Sequence, residues 1–556
     1  MAKGEFEALL ALAEDAPPAI AAGDIDGLGA VVTDIAQHTA RAADLTGDPI
    51  WRVAEVLPWV GPNLEAVRVA AAEASTLSAI LPDGLDALAR LSDRPTDAML
   101  DVEAMSAAGD VFERVTRESE EAEAALARLR HDQLVGPVAN GVAKLQQAVA
   151  QVTPVADVLA RAGHVLPTTL GADGERTILV MMQNPAELRS GGGITGSFAE
   201  LSADSGSVSL IRQANSADFP IRETAVADVS DTTTELYGDG VGRYVQNASM
   251  TPDYAVTGAL VSAWWSGLTG RSPDTVISVD PFVLRALLEV TGPVEMSSGG
   301  SLSAENAISA LLDDPYRTLS PEAQDGMFSE AVEAVFHRLT SGSVDAIAFA
   351  RAMEAPVAEG RVSVWSADGD ERSLYADTIL AGPAARQRAA GDGAFAVYFN
   401  DATGGKMAGY LNTSIAAATS SCRPDGFTEV SVSVTIASEA PPEAPDLPFS
   451  VTGGGLSGVP AGDIATNVTV TGPADSYAGG VVTGGGLYPA TTAIDEDRAA
   501  TTARIDLSPG ETAILDFRFL VRNEVVPEMT VLHTPMVNTP ALQIDSRECT
   551  AGQLSP

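Results

Sequence analysis

The chain has 556 residues, 45% of them apolar, and carries 75 acidic against 33 basic side chains, for a net charge of −42. The apolar share excludes wholesale disorder, the length predicts about three domains, and without a basic stripe the chain is not a nucleic-acid binder. Strong acidity repels anionic lipid surfaces unless divalent cations intervene.

Residues 5 to about 165 read as helical. Leu64, Val67, Ala71, Ala74, Leu77 and Leu81 recur at three- and four-residue spacing, as do Val102, Met105, Phe112, Val115, Ala122, Leu126 and Leu129, and then Val138, Val142, Leu145, Val149, Val152 and Leu159. Pro58, Gly61-Pro62, Pro82, Pro95 and Gly136-Pro137 punctuate them. Glu118, Glu120, Glu121 and Glu123 make an acidic outer face. The pattern predicts a narrow bundle over 1–166, open to use as a stalk, a partner-binding surface or a purely structural element. It is expected to join the next domain through His164-Val165-Leu166-Pro167. Trp51 and Trp59 flank Leu57-Pro58 and read as core or hinge packing rather than as a membrane anchor.

Residues 172–390 alternate strands and helices, which predicts a mixed sheet covered on both faces. Ile178 to Met181 form a short apolar run suited to a strand buried on both sides. It leads into Asn184, Glu187 and Arg189 and then Gly191, Gly192 and Gly193. Polar groups beside a flexible, amide-rich loop at a buried strand's end are where open α/β sheets place ligands. The bland alternative is that Glu187 and Arg189 pair with each other and the glycines turn the chain. Ser197 to Leu201 and Val208 to Arg212 read as a hairpin. A long polar segment follows, holding Asp218, Arg222, Tyr237, Arg243 and Asn247, and loops of that length inside a domain are usually functional. Further on, Pro252 to Leu268 reads as a helix, Thr275 to Val279 as a strand and Phe282 to Val290 as a helix capped by Asp280-Pro281. Another helix is expected from Pro321 to Leu339.

Residues 395–556 carry β-branched runs separated by Gly and Pro, at Phe395 to Phe399, Thr428 to Ile436, Ala465 to Val470, Thr502 to Leu507 and Ala513 to Val521. This spacing predicts a β-sandwich. Cys422 and Cys549 bracket it and read as a disulfide of an oxidising compartment, with two buried thiols as the alternative. Lys406 is the one lysine of the C-terminal half and reads either as solvated or as a contact to a phosphate or acidic group at the domain junction. No Ser-His-Asp arrangement, P-loop or dinucleotide fingerprint is present.

Two resemblances rest on these residues. The pattern Asn-x-x-Glu-x-Arg-x-x-Gly-Gly from Asn184 resembles an uncharacterised family of actinobacterial cell-envelope proteins, a domain of unknown function. From Asn247, the order of helix, strand ending in Val-Asp, helix and Thr-Gly-Pro-Val is similar to the LytR–CpsA–Psr family, whose members transfer glycopolymers from polyprenyl-pyrophosphate carriers to the cell wall. The fold class this implies is multidomain α+β: an N-terminal helical bundle, a central LytR–CpsA–Psr-like α/β domain and a C-terminal β-sandwich. The resemblance carries over Arg189 and Arg317 by pattern; with Glu187 two residues from Arg189 and the polar loop from Asp218 to Asn247 expected to close over the same cleft, Arg189, Glu187 and Asp218 are the expected catalytic residues, with Asp218 reaching Mg²⁺. Asn184, Gly191, Gly192 and Gly193 of the strand-end loop, Arg222, Arg243 and Asn247 of the polar segment, and Arg317 are the expected contacts to the pyrophosphate-linked glycan or wall polymer. Arginine forks suit phosphate, and Mg²⁺ would neutralise the leaving group. In that family the first strand ends in aspartates, where this chain has Asn184 and Glu187, and the arginine-rich segment before the last helix is reduced to Arg317 and Gln324.

The resemblance also implies an extracytoplasmic location and a membrane anchor. No run of 18 apolar residues is present and the first residues do not form a signal peptide, so the anchor is expected outside this sequence. Two functions are carried forward. One is a metal-assisted phosphotransferase that attaches an envelope glycopolymer. The other is a non-catalytic envelope protein whose α/β domain binds lipid or glycan. An enzyme needs several arginines and a carboxylate converging on one cleft; a binding protein needs an apolar groove.

Overall fold

A computed structural model describes residues 25–92, 100–341, 346–376, 378–522, 526 and 528–547. The chain mixes helices with several sheets, and none of the sheets closes into a barrel. It divides into two compact units, one of residues 1–175 with 203–208 and 345–347, the other of the remainder.

The first unit is built from α1 (Ile25–Gly47), the short α2 (Pro49–Ala54), α3 (Gly61–Ser92), α4 (Val102–Ala127) and α5 (Gly136–Thr169). Successive long helices pack on one another. Ala66, Ala70, Leu126 and Val142 form a buried core with Val69, Leu129, Val138 and Leu145 against it. The seam is of small residues because the backbones touch: a Cβ on Gly163 would lie 2.4 Å from the Gly109 Cα. Pro82 was expected to break a helix and instead lies inside α3, as Pro154 and Pro167 do inside α5. His164 to Pro167 therefore belong to the last helix, not to a linker. Among the described residues no helix is long and apolar enough to cross a membrane.

The second unit opens with a five-stranded sheet in the order β3 (Ser207–Asn215), β2 (Ile194–Asp204), β1 (Arg176–Asn184), β4 (Thr275–Val279), β7 (Ser363–Ser366). β1 and β4 run parallel and β7 pairs antiparallel to β4, so the sheet is mixed as expected. Leu179 and Met181 on β1 share a core with Phe198, Phe219, Trp264 and Trp265. The loop-rich segment after β3 holds α6 (Asp231–Tyr237) and α7 (Gly240–Arg243). It leads to α8 (Tyr254–Thr269), whose first turn is capped by Asp253.

The cap expected before α9 (Pro281–Thr291) is present: one Asp280 oxygen accepts from the N–H groups of Phe282 (2.9 Å) and Val283 (3.1 Å). The other takes an ion pair from Arg361 at 2.6 Å, both side chains being buried, which the sequence did not suggest. Next come the hairpin β5 (Val294–Glu295) and β6 (Ser301–Leu302), then α10 (Ala307–Leu312), α11 (Asp314–Thr318) and α12 (Pro321–Ser341).

The remaining strands form two sheets. One has the order β13 (Gly486–Tyr488), β12 (Tyr477–Thr483), β16 (Thr512–Arg522), β10 (Phe427–Ser438), β9 (Leu411–Cys422), β18 (Ala541–Asp545), and the other β14 (Thr491–Asp495), β15 (Arg498–Leu507), β11 (Ile464–Ala474), β8 (Ala394–Asp401), β17 (Thr530–His533). β10 (Phe427–Ser438) alternates buried and half-buried residues along its whole length, the signature of a sheet with one face in the core. Val430, Val432 and Val434 from that sheet meet Phe395, Val397, Phe399, Val468 and Val470 from the other in one core. β8 (Ala394–Asp401) differs: seven of its eight residues are buried, so both its faces are covered. Its second face, with Tyr398 and Asn400, bonds to Gln387 and Ser190. This strand carries the junction with the α/β elements. Cys422 is buried at the end of β9 (Leu411–Cys422); Cys549, its expected partner, lies outside the described residues.

Candidate functional site

The site is the loop after β1. The strand stops at Asn184 because that side chain turns the backbone: its Oδ1 accepts the Ala186 N–H at 2.9 Å while its Nδ2 donates to the Tyr316 hydroxyl at 2.7 Å. The Glu187 N–H then donates to the Asn184 carbonyl at 3.2 Å. Glu187 and Arg189 thus lie in a turn, not on an extended strand as the spacing suggested, and their side chains still meet. The glycines are required by crowding. A Cβ on Gly193 would stand 2.3 Å from the Asn184 carbonyl oxygen, and Gly192 sits at φ +124°, a region that side chains rarely enter.

Glu187 and Arg189 are both about 95% buried. The Arg189 Nη2 donates to Glu187 at 3.0 Å and to the Asn247 Oδ1 at 2.8 Å; its Nε donates to the same Asn247 oxygen at 3.1 Å, and its Nη1 to the Leu188 carbonyl at 2.8 Å. The second Glu187 oxygen accepts from the Lys406 Nζ at 3.2 Å. That ammonium also lies over the Tyr316 ring, 4.9 Å from its centre. Lys406 is therefore the contact to an acidic group that its isolation in the sequence left open. Asp401 completes the cluster. Its carboxylate accepts the N–H groups of Thr403 (3.0 Å) and Gly404 (2.6 Å) and the Thr403 hydroxyl. Its own N–H donates to the Leu188 carbonyl at 2.8 Å.

Two carboxylates thus face two cations. Burial pushes the Glu187 carboxyl up, but the Lys406 ammonium and the Arg189 guanidinium outweigh it and hold Glu187 below the usual carboxylate range. Burial, reinforced by the Glu187 charge, pushes Asp401 up to about 6. Hydrogen bonds continue the seam on either side: the Ser190 N–H donates to the Asn400 Oδ1 at 3.1 Å, and the Ala408 N–H to the Ala186 carbonyl at 2.9 Å.

The structure brings Asn184, Glu187, Arg189, Gly191 to Gly193 and Asn247 together. It gives the other expected residues different partners. Exposed Asp218 accepts the Asn215 N–H at 2.8 Å in a local cap. Arg222 stacks over Trp264 at 5.5 Å. Arg243 pairs with Asp239 at 2.5 Å and donates to the Arg222 carbonyl. Arg317 pairs with Asp313 at 2.5 Å and donates to the Tyr410 hydroxyl at 2.6 Å. None of these contacts reaches Glu187 or Arg189. The loop from Asp218 closes on itself because the Arg222 N–H donates to the Arg243 carbonyl and the Arg243 Nε donates back to the Arg222 carbonyl.

For Mg²⁺, Asp218 has Asp325 near enough to feel its charge. Among the described residues the group of three that could hold a metal ion is instead Asp110, Glu113 and His164, exposed on α4 and α5. Asp218 is not one of these three. Sequence reading passed over Asp401 and Tyr316; the Asp-x-Thr-Gly turn at 401–404 was the one local signal for the former.

A second feature lies beside the β5–β6 hairpin. A cavity of about 660 Å³ opens between the hairpin and helices α10 and α12. Met296, Leu302, Leu311, Leu319, Met327 and Ala331 supply its apolar wall, and Glu330 stands at its polar margin.

A family model described as a protein of unknown function, DUF4012, matches residues 173–316, about a quarter of the chain. No curated protein matches. Among solved structures, the transcriptional regulator yvhJ from Bacillus subtilis is 12% identical with a TM-score of 0.22, covering 36% of this chain and 76% of its own. The Lin1025 protein from Listeria innocua is 11% identical with a TM-score of 0.22, over 37% and 78%. The gbs0355 protein from Streptococcus agalactiae is 12% identical with a TM-score of 0.24, over 37% and 74%. Likeness at this level does not define a common fold.

Proposed function

We propose that the chain is a non-catalytic binding protein of the cell envelope, whose α/β part takes the hydrocarbon chain of a lipid or lipid-linked glycan. The cavity beside the β5–β6 hairpin carries the reading: its volume lies within the range of small-molecule sites, and methionine, leucine and alanine make the apolar part of a wall that serine, glycine and Glu330 complete. Methionine side chains adapt to flexible apolar ligands. The glycopolymer transferase is the weaker alternative. It needs several arginines and a carboxylate open to one cleft, whereas Arg189 spends its donors on Glu187, Asn247 and Leu188. An extracytoplasmic location and a Cys422–Cys549 disulfide belong to the same proposal, because a cystine persists in oxidising compartments.

Mass spectrometry of lipids extracted from protein made in its own host tests it. A bound acyl or isoprenoid species should be present in the unaltered chain and absent after Met327→Trp, which fills the cavity. Protein that carries no lipid, or Met327→Trp protein that carries as much, would sink the reading.

A further inference from the structure

The turn between α1 and α3 was expected to pack Trp59 into a core or hinge. Instead Trp59 is 90% exposed, at φ +63°, and Val56 and Ile50 are about 80% exposed. Val53, Leu57 and Val60 join them, while Trp51 is half-buried and donates its indole N–H to the Leu64 carbonyl at 2.9 Å. Asn63 holds this turn beside the α4–α5 turn. Its Nδ2 donates to the carbonyls of Trp59 (3.0 Å) and Gln133 (3.3 Å), and its Oδ1 accepts the Val135 N–H at 2.8 Å. Val135 is itself exposed. One end of the helical unit therefore presents seven exposed apolar side chains.

We propose that this end of the helical unit docks into the surface of a lipid bilayer. Side chains that keep most of their surface free stand on a convex apex. Such an apex offers no concave seat for a partner's side chain, and two copies meeting apex to apex would bury little of it. A bilayer is a deformable apolar medium that takes in separated side chains one by one, and its interface is where tryptophan rings settle.

Charge agrees. Within the two turns, residues 48–60 and 128–135, Asp48, Glu55 and Asp132 are balanced by Arg52, Arg128 and Arg130, so the tip is neutral on a chain of net charge −42, with Asp44, Glu65 and Glu123 on the helices behind it. Arg68 pairs with Glu55 at 2.6 Å and Arg130 with Glu65 at 3.3 Å. Arg52 and Arg128 are exposed and make no ion pair among the described residues, leaving two guanidinium groups for lipid phosphates. The acidic remainder is repelled by the same phosphates, which orients the unit with this end toward the lipid.

The test is cosedimentation of the full chain with vesicles of phosphatidylcholine mixed with phosphatidylglycerol. The unaltered chain should bind. The Val56→Asp, Trp59→Asn double variant should bind at least about tenfold more weakly, the effect of leaving one large apolar side chain in water. Asn is chosen at 59 because it tolerates the left-handed backbone. Trp59→Phe should bind like the unaltered chain while losing the fluorescence quenching caused by brominated acyl chains. Equal binding by the double variant, or no vesicle binding by any form, would overturn the proposal. So would a concentration-dependent dimer in sedimentation velocity that the double variant abolishes, since a second copy would then cover the apex.

Discussion

Replacing Arg189 with alanine separates a structural junction from a ligand clamp. The side chains of Arg189 and Glu187 are 6% and 4% exposed, so their pair is not screened as a surface pair would be. Removing the guanidinium leaves Glu187 with Lys406 alone, strips both donors from the Asn247 oxygen and leaves the Leu188 carbonyl with only the Asp401 N–H. Breaking one side of a buried ion pair costs about 3–5 kcal/mol. An exposed pair would cost about 0–1 kcal/mol. The orphaned Asn247 oxygen alone would account for about 1–3 kcal/mol and overlaps with the first figure instead of adding to it. Urea unfolding followed by tryptophan fluorescence reads this out, because Trp264 and Trp265 are fully buried in the same unit. The expected loss is about 3–5 kcal/mol with unchanged lipid content of the folded protein. A loss below about 1 kcal/mol together with loss of bound lipid would refute the argument and return Arg189 to the ligand.

Three further outcomes are expected. Asp401 titrates near 6 in the folded chain against about 3.9 unfolded, so it binds its proton more tightly when folded. Its contribution to stability is complete below about pH 4 and is lost as pH rises through about 6. The swing is at most about 3 kcal/mol, because part of Asp401 keeps contact with solvent, and Asp401→Asn should flatten the urea midpoint over that window. Glu187 works in the opposite sense, its stabilisation being present at neutral pH and lost only below the ordinary carboxylate range. Gly193→Ala should destabilise by about 1–3 kcal/mol through its clash with the Asn184 carbonyl, whereas Gly196→Ala, which meets open space, should be nearly neutral by the same unfolding assay. Finally, peptide mapping without reductant should recover Cys422 joined to Cys549, and both cysteines alkylating freely in native protein would exclude that cystine.

The sequence by itself determined the local elements. An apolar run bounded by polar residues predicts β1; Asp280-Pro281 predicts the start of α9; a β-branched run bounded by Gly and Pro predicts β10. Each is decided by neighbours in the chain, so each is legible from a window of a few residues. The meeting of Glu187 with Arg189 was legible too, two residues apart. Tertiary structure decided what that pair is for. Lys406 reaches Glu187 from 219 residues away and Asn247 reaches Arg189 from 58, and no periodicity encodes such separations. The same limit explains Asp218, Arg222, Arg243 and Arg317. Each is a plausible phosphate or metal ligand by type, but Asp218, Arg243 and Arg317 find partners within four residues and Arg222 stacks on Trp264 of α8. Trp59 shows the converse: a large apolar ring is expected inside, and whether a neighbouring helix covers it depends on where the chain turns. Burial is a property of the whole packing, so the sequence located the polar motif but only the fold could show that the motif is sealed.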